Sequence, residues 1–576
     1  MKKIVLAICI AFAAGLISCE TAFLDEKMRT QVGSDQMYKT AKDFELALIG
    51  VYDMLGTRNY QTLNTNINHQ SNYGGGVQLL SELGTDEMFC NAVIAAKNGK
   101  LADLDKCSPT AANEICNDVY AGTYAMLNRT NDLIYHLEQL SETSRGKLAQ
   151  CEGQARFLRA LCYYNLVTLW GGVPIVDKPG SFYVDDYPAR NSIGEVYTRI
   201  ILPDLKFAYE KLPVDYSERA DYNSGKQFGR VTRIAAAALL ARVNLTIASM
   251  ARYAEIPQAV QLGGINSYDW VENPDTYYND ARTYAGAAIS EGYGAEDTIL
   301  SLPYEQSFYP YENTPDVIFD VQFTSGLSQD EGSWVGTYTG VSSWHWADIS
   351  MNLALNYAPT DAASQWPAIP TRENCDMRKA KNVNRYGFGT NGIVWPPVAN
   401  PSYSLGKFRR EYNPSYINSS TPVNFTVLRL AEMYLIYAEA EAELAGEPTQ
   451  TAYRMINYVR RRAAASEILP DFDDVSIWQP ANVRPIGGIQ VDDTDYLKQF
   501  RLAVLQERMF ELVGEGVRRI DLIRSGWIRP ILEQMNTTDR KYLYLNRNFQ
   551  DHNIFLPIPA REITMTNNIV VQNYGY

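Results

Sequence analysis

The sequence predicts a mostly α-helical fold of paired helices, interrupted by one large irregular, loop-rich insertion. Three observations carry that reading. Apolar residues recur at three- and four-residue spacing in segment after segment, as on one face of a helix. Stop signals separate several of these segments by only a few residues, so neighbours should fold back as antiparallel pairs. Across residues 301–425 the helical period fades, and Gly, Pro, Asn, Ser and aromatic residues take over.

Composition limits the alternatives. A chain of 576 residues with 46% hydrophobic and 12% aromatic residues is too apolar to be disordered. It has no run of about 18 or more apolar residues, so no membrane-spanning helix is expected. The balance of 66 Asp+Glu against 52 Lys+Arg gives −14. That argues against nucleic-acid binding, which needs clustered cations, and against docking on acidic lipid by charge. Tyrosine is abundant, 39 against 19 Phe and 9 Trp. A ring with a hydroxyl suits wet binding surfaces and helix contacts alike.

Residues 1–18 read as an export signal. Met1, Lys2 and Lys3 are followed by an apolar stretch, 4–17, that is too short to span a bilayer. Leu16-Ile17-Ser18-Cys19 resembles a bacterial lipobox, in which cleavage precedes the cysteine and the cysteine is lipidated. Cys19 is therefore the expected anchor and residues 19–35 its tether. Acyl chains hold a soluble body at a membrane by about 0.8 kcal/mol per buried CH₂. Of the other cysteines, Cys151 and Cys162 fall in an apolar helical pattern and are expected in the core. Export leaves Cys90–Cys107 or Cys107–Cys116 bridges open, and the absence of a C-x-x-C pair argues against a zinc or thioredoxin-like site.

Residues 36–300 form the expected N-terminal helical region. Phe44, Leu48, Val51 and Leu55 make its first apolar stripe. Residues 119–140 and 151–170 are two further helices, split by Ser141-Glu142-Thr143-Ser144 and stopped at Gly171-Gly172 before Pro174. Ser192 with Glu195 spells a capping box that opens a helix running to Leu212. Residues 233–250 are Ala-rich and strongly helical. Within the insertion, 317–321 reads as a short β-run. Helices resume at 427–444, 449–465, 496–513 and 517–525, in a C-terminal region spanning 426–576. Small residues at Ala235 to Ala238 and at Ala438, Ala440 and Ala442 permit close helix approach, as in tetratricopeptide-type repeats, although no clean 34-residue period is present.

Catalytic signatures are absent where a local motif would reveal them. There is no G-x-x-x-x-G-K-[ST], G-x-S-x-G or H-E-x-x-H, and the four His are far apart. No cofactor or metal is expected. Asp492-Asp493-Thr494-Asp495 reads as a solvated loop before a helix N-terminus, since it lacks the Gly and terminal Glu of a calcium loop. Glu507, Arg508, Glu511, Glu515, Arg518 and Arg519 alternate in sign and read as ion pairs tying two helices. Arg460, Arg461 and Arg462 close a helix and complement its dipole. The strongest functional feature is the insertion, where Trp334, Tyr338, Trp344, His345 and Trp346 cluster, followed by Trp366 and Trp395. Aromatic faces stack on the C–H faces of sugars while Asn, Asp, Arg and Gln bind the hydroxyls. A local mini-core under a long loop is the structural alternative.

Several motifs in fixed order then resemble one family. Cys19 with Phe23-Leu24-Asp25 is similar to its anchor and tether, and 44–52 to its first helix. Residues 152–161, ending in Leu169-Trp170-Gly171-Gly172-Val173-Pro174, are typical of it. So are Leu428-Arg429-Leu430-Ala431-Glu432, Tyr437-Ala438-Glu439-Ala440, Ile456-Asn457 with Val459-Arg460, and Glu507-Arg508 with Glu511-Leu512. Gly514-Glu515-Gly516-Val517-Arg518-Arg519, Leu556-Pro557-Ile558-Pro559 and Gln572-Asn573-Tyr574-Gly575-Tyr576 complete the match. The chain resembles the SusD/RagB family of Bacteroidetes outer-membrane nutrient-binding lipoproteins.

The resemblance implies a non-enzymatic, surface-exposed outer-membrane lipoprotein that captures oligosaccharide and delivers it to a partner SusC-like TonB-dependent transporter. It also implies a peptide ligand in the RagB-like branch, and leaves a helical glycoside hydrolase as the remote alternative. The matching motifs are scaffold, so ligand contacts are expected by position only. They are Asn68, Tyr73, Phe89 and Asn91 from an early loop, Trp334, Tyr338, Trp344 and Trp346 from the insertion, and Trp270 ahead of Asn273-Pro274.

Overall fold

A computed structural model of the chain describes residues 37–56, 72–90, 96, 98–183, 186–216, 229–308, 313–323, 347–350, 353–354, 357, 376–384, 387–389, 392–394, 403–408, 422–465, 494–538 and 547–576. Two compact units are distinguished, Met1–Ala47 and Leu48–Tyr576. In the first, Thr40 and Asp43 exchange hydrogen bonds that cap the start of α1, Ala41–Gly56.

The second unit is a ladder of helices. A π-helical turn, Asn72–Gly76, leads into α2, Val77–Glu82. After strand β1, Met88–Phe89, come α3, Gly99–Asp105, α4, Glu114–Glu138, α5, Glu142–Lys147, and α6, Ala149–Trp170. The Ser192–Glu195 capping box opens α7, Ile193–Val196. It continues through a π-helical turn, Tyr197–Ile201, into α8, Leu202–Lys211, with Pro203 in its first turn. The single helix expected there is thus interrupted where Pro203 lacks an N–H to bond the preceding turn. Then follow α9, Arg233–Tyr253, and α10, Pro274–Tyr293. Successive helices pack on one another: α4 on α6, α6 on α8, α8 on α9, and α9 on α10.

The insertion contributes β2, Val317–Val321, β3, Asp348–Ile349, α11, Met377–Asn382, β4, Val383–Asn384, β5, Gly387–Gly389, β6, Gly392–Val394, and β7, Ser404–Leu405. Residues 387–392 spell G-x-G-x-x-G, but β5 and β6 form an antiparallel hairpin there, not the strand-to-helix turn that binds dinucleotides. β8, Phe425–Arg429, pairs antiparallel with β2. It precedes α12, Leu430–Ala445, whereas the sequence predicts the helix from 427. Phe425, Thr426 and Val427 suit a strand, and Arg429 stays extended at φ −129°.

The last elements are α13, Gln450–Arg462, α14, Tyr496–Leu512, α15, Arg518–Arg524, α16, Ile528–Thr538, and α17, Ala560–Met565. α12 packs on α10, α13 and α14. α9 is long and apolar enough to cross a membrane, but 94% of that window is buried in the fold, as a core helix must be.

Two of the sequence motifs meet at the ends of this ladder. Gly171 caps α6 at φ 80°, and the Trp170 indole donates to the Pro557 carbonyl at 3.0 Å. Arg190 donates to the Gly172 carbonyl (2.7 Å) and to Asn573 Oδ1 (2.8 Å), while Asn573 Nδ2 donates to the Leu556 carbonyl (2.7 Å). The residues after α6 and the last residues of the chain therefore satisfy each other's backbone groups, which buried peptide units require.

Candidate functional site

The root of the insertion is built on buried charge. Asp316, just before β2, takes both Nη atoms of Arg462 at 2.8 and 2.9 Å and Nη1 of Arg429 at 2.9 Å. Arg429 also donates to both carboxylate oxygens of Glu515 at 2.9 Å and to Glu511 at 3.0 Å. Lys407, beside β7, donates to Glu515 at 2.5 Å and to the Glu511 carbonyl at 2.6 Å. Arg378 on α11 holds Asp376 and reaches Glu507, which also takes Arg460 at 2.5 Å.

Burial alone would raise the Asp316 carboxyl, yet Arg462 and Arg429 hold it well below the usual range. Glu507 is held down in the same way by Arg378 and Arg460. Burial depresses the Lys407 amine against the pull of Glu515. Charges buried this deeply are tolerated only when paired and hydrogen-bonded. Three separate pieces of the insertion, at 316, 376–378 and 407, are thereby pinned to α13 and α14.

The expected helix-to-helix ion pairs exist, but they extend further than two helices. Arg508 bridges Glu432 and Asp521, and Arg524 bridges Asp521 and Glu439. Arg242 on α9 takes Glu432 from both sides. Arg460 and Arg462 do more than complement a helix dipole: both are buried members of the insertion's root. Asp495 caps α14, accepting from the Lys498 N–H at 2.9 Å.

A second pin fixes the early segment to the insertion. Arg518 clamps Asp86 with bonds of 2.7 and 2.6 Å. Ser350 Oγ donates to the Asp86 carbonyl (2.5 Å), and the Ser350 N–H to the Glu87 carbonyl (2.7 Å). β1 and β3 pair antiparallel, Met88 opposite Ile349 and Phe89 opposite Asp348. Cys90 and Ala347 therefore lie at the same end of that ladder. Glu82 and Glu87 are both buried, and Glu82 accepts from the Gly516 N–H at 2.7 Å. Burial pushes Glu82 up to about 7 and Glu87 well above the ordinary carboxyl range, so the pair keeps a proton at neutral pH.

Of the residues expected at the ligand site, Asn68, Asn91, Trp334, Tyr338, Trp344 and Trp346 lie outside the described residues, as does the expected anchor Cys19. The other three, Tyr73, Phe89 and Trp270, are described. Tyr73 is buried, its hydroxyl accepting from Asn165 Nδ2 at 2.8 Å and its ring 5.7 Å from Phe425. Phe89 is buried in β1. Trp270 stacks on Tyr197, with centroids 6.1 Å apart, and meets the Tyr277 ring edge-on.

A cavity of about 360 Å³ opens beside β2 between Tyr216, Arg230, Tyr293, Asn313 and Asp320. Burial raises the Asp320 carboxyl to about 6, and it accepts from Gln322 at 2.6 Å. Among the described residues no group of three or more His, Cys, Asp or Glu is arranged to hold a metal. Cys90, Cys107, Cys116, Cys151 and Cys162 are all buried and outside any disulfide, so neither of the two open bridges forms. Sequence reasoning missed Asp316, Arg378, Lys407 and Arg429. A charged residue flanking a loop gives no local sign of a partner about a hundred residues away.

Two family models match the chain. Residues 315–576 match the SusD family, and residues 55–245 match a model described as starch-binding associating with outer membrane. SusD-like protein P25 of Formosa agariphila is 24% identical over 588 residues, 97% of each chain. A SusD homolog from Bacteroides thetaiotaomicron superposes with a TM-score of 0.70 at 20% identity, over 96% of this chain and all of that one. Surface glycan-binding protein A from Bacteroides thetaiotaomicron, solved with laminarihexaose, superposes with a TM-score of 0.65 at 18% identity, over 93% of this chain and all of that one. With matching models on both halves and the same helical scaffold along nearly its whole length, the chain belongs to the SusD family of outer-membrane-associated, non-catalytic binding proteins.

Proposed function

We propose that the protein is a cell-surface glycan-binding lipoprotein, anchored through Cys19, that captures oligosaccharides and delivers them to a SusC-like TonB-dependent transporter. The observation that carries the reading is the match of residues 55–245 to a model described as starch-binding. The laminarihexaose complex of a protein with the same scaffold supports the ligand class. Trp334, Tyr338, Trp344 and Trp346 supply stacking faces, and Asn68 and Asn91 supply polar contacts. The β1–β3 ladder puts Cys90 and Ala347, the chain neighbours of Asn91 and Trp346, at one end of the same strand pair.

The test is calorimetric titration of the mature chain without Cys19 against plant, host and microbial glycans and a mixed peptide digest. A glycan should bind, and replacing Trp334, Trp344 or Trp346 with Ala should weaken it by about 1–3 kcal/mol, as for aromatic hot spots. Peptide binding without glycan binding would overturn the reading. Unchanged affinity in all three variants would move the site elsewhere.

A further inference from the structure

A cleft of about 810 Å³ opens in the C-terminal helical region, between the residues after α9, the start of α14, the α15–α16 junction and residues 549–554. Three cations line it, and each sits over an aromatic ring. Arg501 lies 3.7 Å from the Tyr253 centroid, Lys498 5.6 Å from Trp527, and Arg529 5.9 Å from Phe549. Cation–π attraction holds charged heads in place without neutralising them.

Their anionic partners are few. Arg529 pairs with Asp551 at the surface. Arg501 reaches Glu443 at 3.3 Å, but Glu443 is shared with Arg252 at 3.1 Å. The Arg501 side chain is only 10% exposed, and its Nε–H is buried with no hydrogen-bond partner. The Lys498 amine makes no ion pair among the described residues. Besides Asp551, the acid on the lining is Glu255. The N-terminus of α16, an 11-residue helix, opens at the same cleft. Trp527 stands just before it, and an indole donates but does not accept, so it cannot cap the first-turn N–H groups. In a chain of net charge −14, a guanidinium that shares its one carboxylate, an ammonium and a helix N-terminus line one cleft.

We propose that this cleft binds an oxyanion carried on a saccharide, the carboxylate of a uronate or a sulfate ester. Arg501 and Lys498 are its cationic contacts. A planar guanidinium matches a two-oxygen anion, and Arg501 has only a shared carboxylate to balance its charge. The saccharide half of this inference rests on the glycan reading above; the oxyanion half rests on the cleft alone.

The test titrates the soluble mature chain with trigalacturonate, with neutral galactotriose and with inorganic sulfate, at low and high salt. Trigalacturonate should bind about 10-fold or more tighter than the neutral trisaccharide, with sulfate competing and salt narrowing the gap. Lys498→Ala should weaken the charged ligands about 5- to 10-fold, and Arg501→Lys, which keeps the charge but loses the fork, should weaken them as well. Equal binding of charged and neutral ligands would overturn the proposal, and so would unchanged sulfate and trigalacturonate affinity in a folded Lys498→Ala protein. Sulfate binding that depends on Lys498, with no neutral glycan bound anywhere on the chain, would uphold the oxyanion site while removing the glycan reading.

Discussion

Arg462 at the end of α13 and Asp316 at the mouth of the insertion lie 146 residues apart and meet in a two-pronged ion pair, Nη1 to Oδ1 at 2.8 Å and Nη2 to Oδ2 at 2.9 Å. Both side chains are excluded from water. Neither charge would be tolerated there alone, so the pair couples formation of the insertion's first strand to formation of the C-terminal helices.

Asp316→Ala leaves Arg462 and Arg429 facing each other with one carboxylate fewer. The expected loss is about 3–5 kcal/mol, the range for breaking a buried pair from one side. Denaturant unfolding measures it. A loss under about 1 kcal/mol, the range of a surface pair, would show that the insertion's root is solvated in solution.

Glu82 and Glu87 set a pH dependence of the opposite sign to the paired acids. Glu82 has its folded pKa raised to about 7 from 4.5. Its contribution is therefore full below pH 4.5 and is lost as pH rises toward 7. Glu82→Gln puts a neutral amide in place of the group that has to stay protonated beside Glu87. The variant should gain on the natural protein between pH 5 and 8 by on the order of 1–3 kcal/mol. Other raised carboxyls, such as Asp118, titrate in both proteins and cancel in the difference. Unfolding free energies at pH 5, 6, 7 and 8 decide it; parallel curves would refute it.

How far this was legible in the sequence depends on whether a feature is local. The Ser192–Glu195 box, the Gly171 stop and the apolar stripe of α9 are local, and each was readable from its own few residues. The strand at 425–429 was hidden, because its reason for being a strand is β2, about a hundred residues earlier. The anchors Lys407 and Asp316 were hidden for the same reason. The aromatic cluster at Trp334–Trp346 was legible as composition alone, since which rings face a ligand is decided by what the loop packs against.

Gly171 gives a sharper test of the local reading. Its φ of 80° and ψ of −148° suit glycine, and a Cβ there would come within 2.2 Å of Asn266 Oδ1, the acceptor of the Gly172 N–H. Gly171→Ala should cost about 1–3 kcal/mol from the backbone alone. Gly146, inside α5 with open space around it, is the control, where Ala should stabilise by up to about 1 kcal/mol. Thermal unfolding of both variants checks the contrast, and equal shifts would mean that the α6 cap does not form as described.

Trp270 separates packing from recognition. Its ring stacks on Tyr197, and Gly194 is kept bare of a Cβ that would come within 2.7 Å of the indole. Its Nε1–H is buried without a partner. A ring held for ligand contact would keep that donor free in solvent, whereas a ring held for packing gains nothing from it. Trp270→Ala should therefore lose about 3 kcal/mol of stability, while Trp270→Phe, which removes the unsatisfied donor, should stay within about 1 kcal/mol. Neither should change glycan affinity, whereas Trp344→Ala should weaken glycan binding and leave stability nearly unchanged. Calorimetric titration and unfolding on the same three proteins resolve the two roles. A Trp270→Ala protein that stays stable but loses its glycan would make Trp270 a ligand contact.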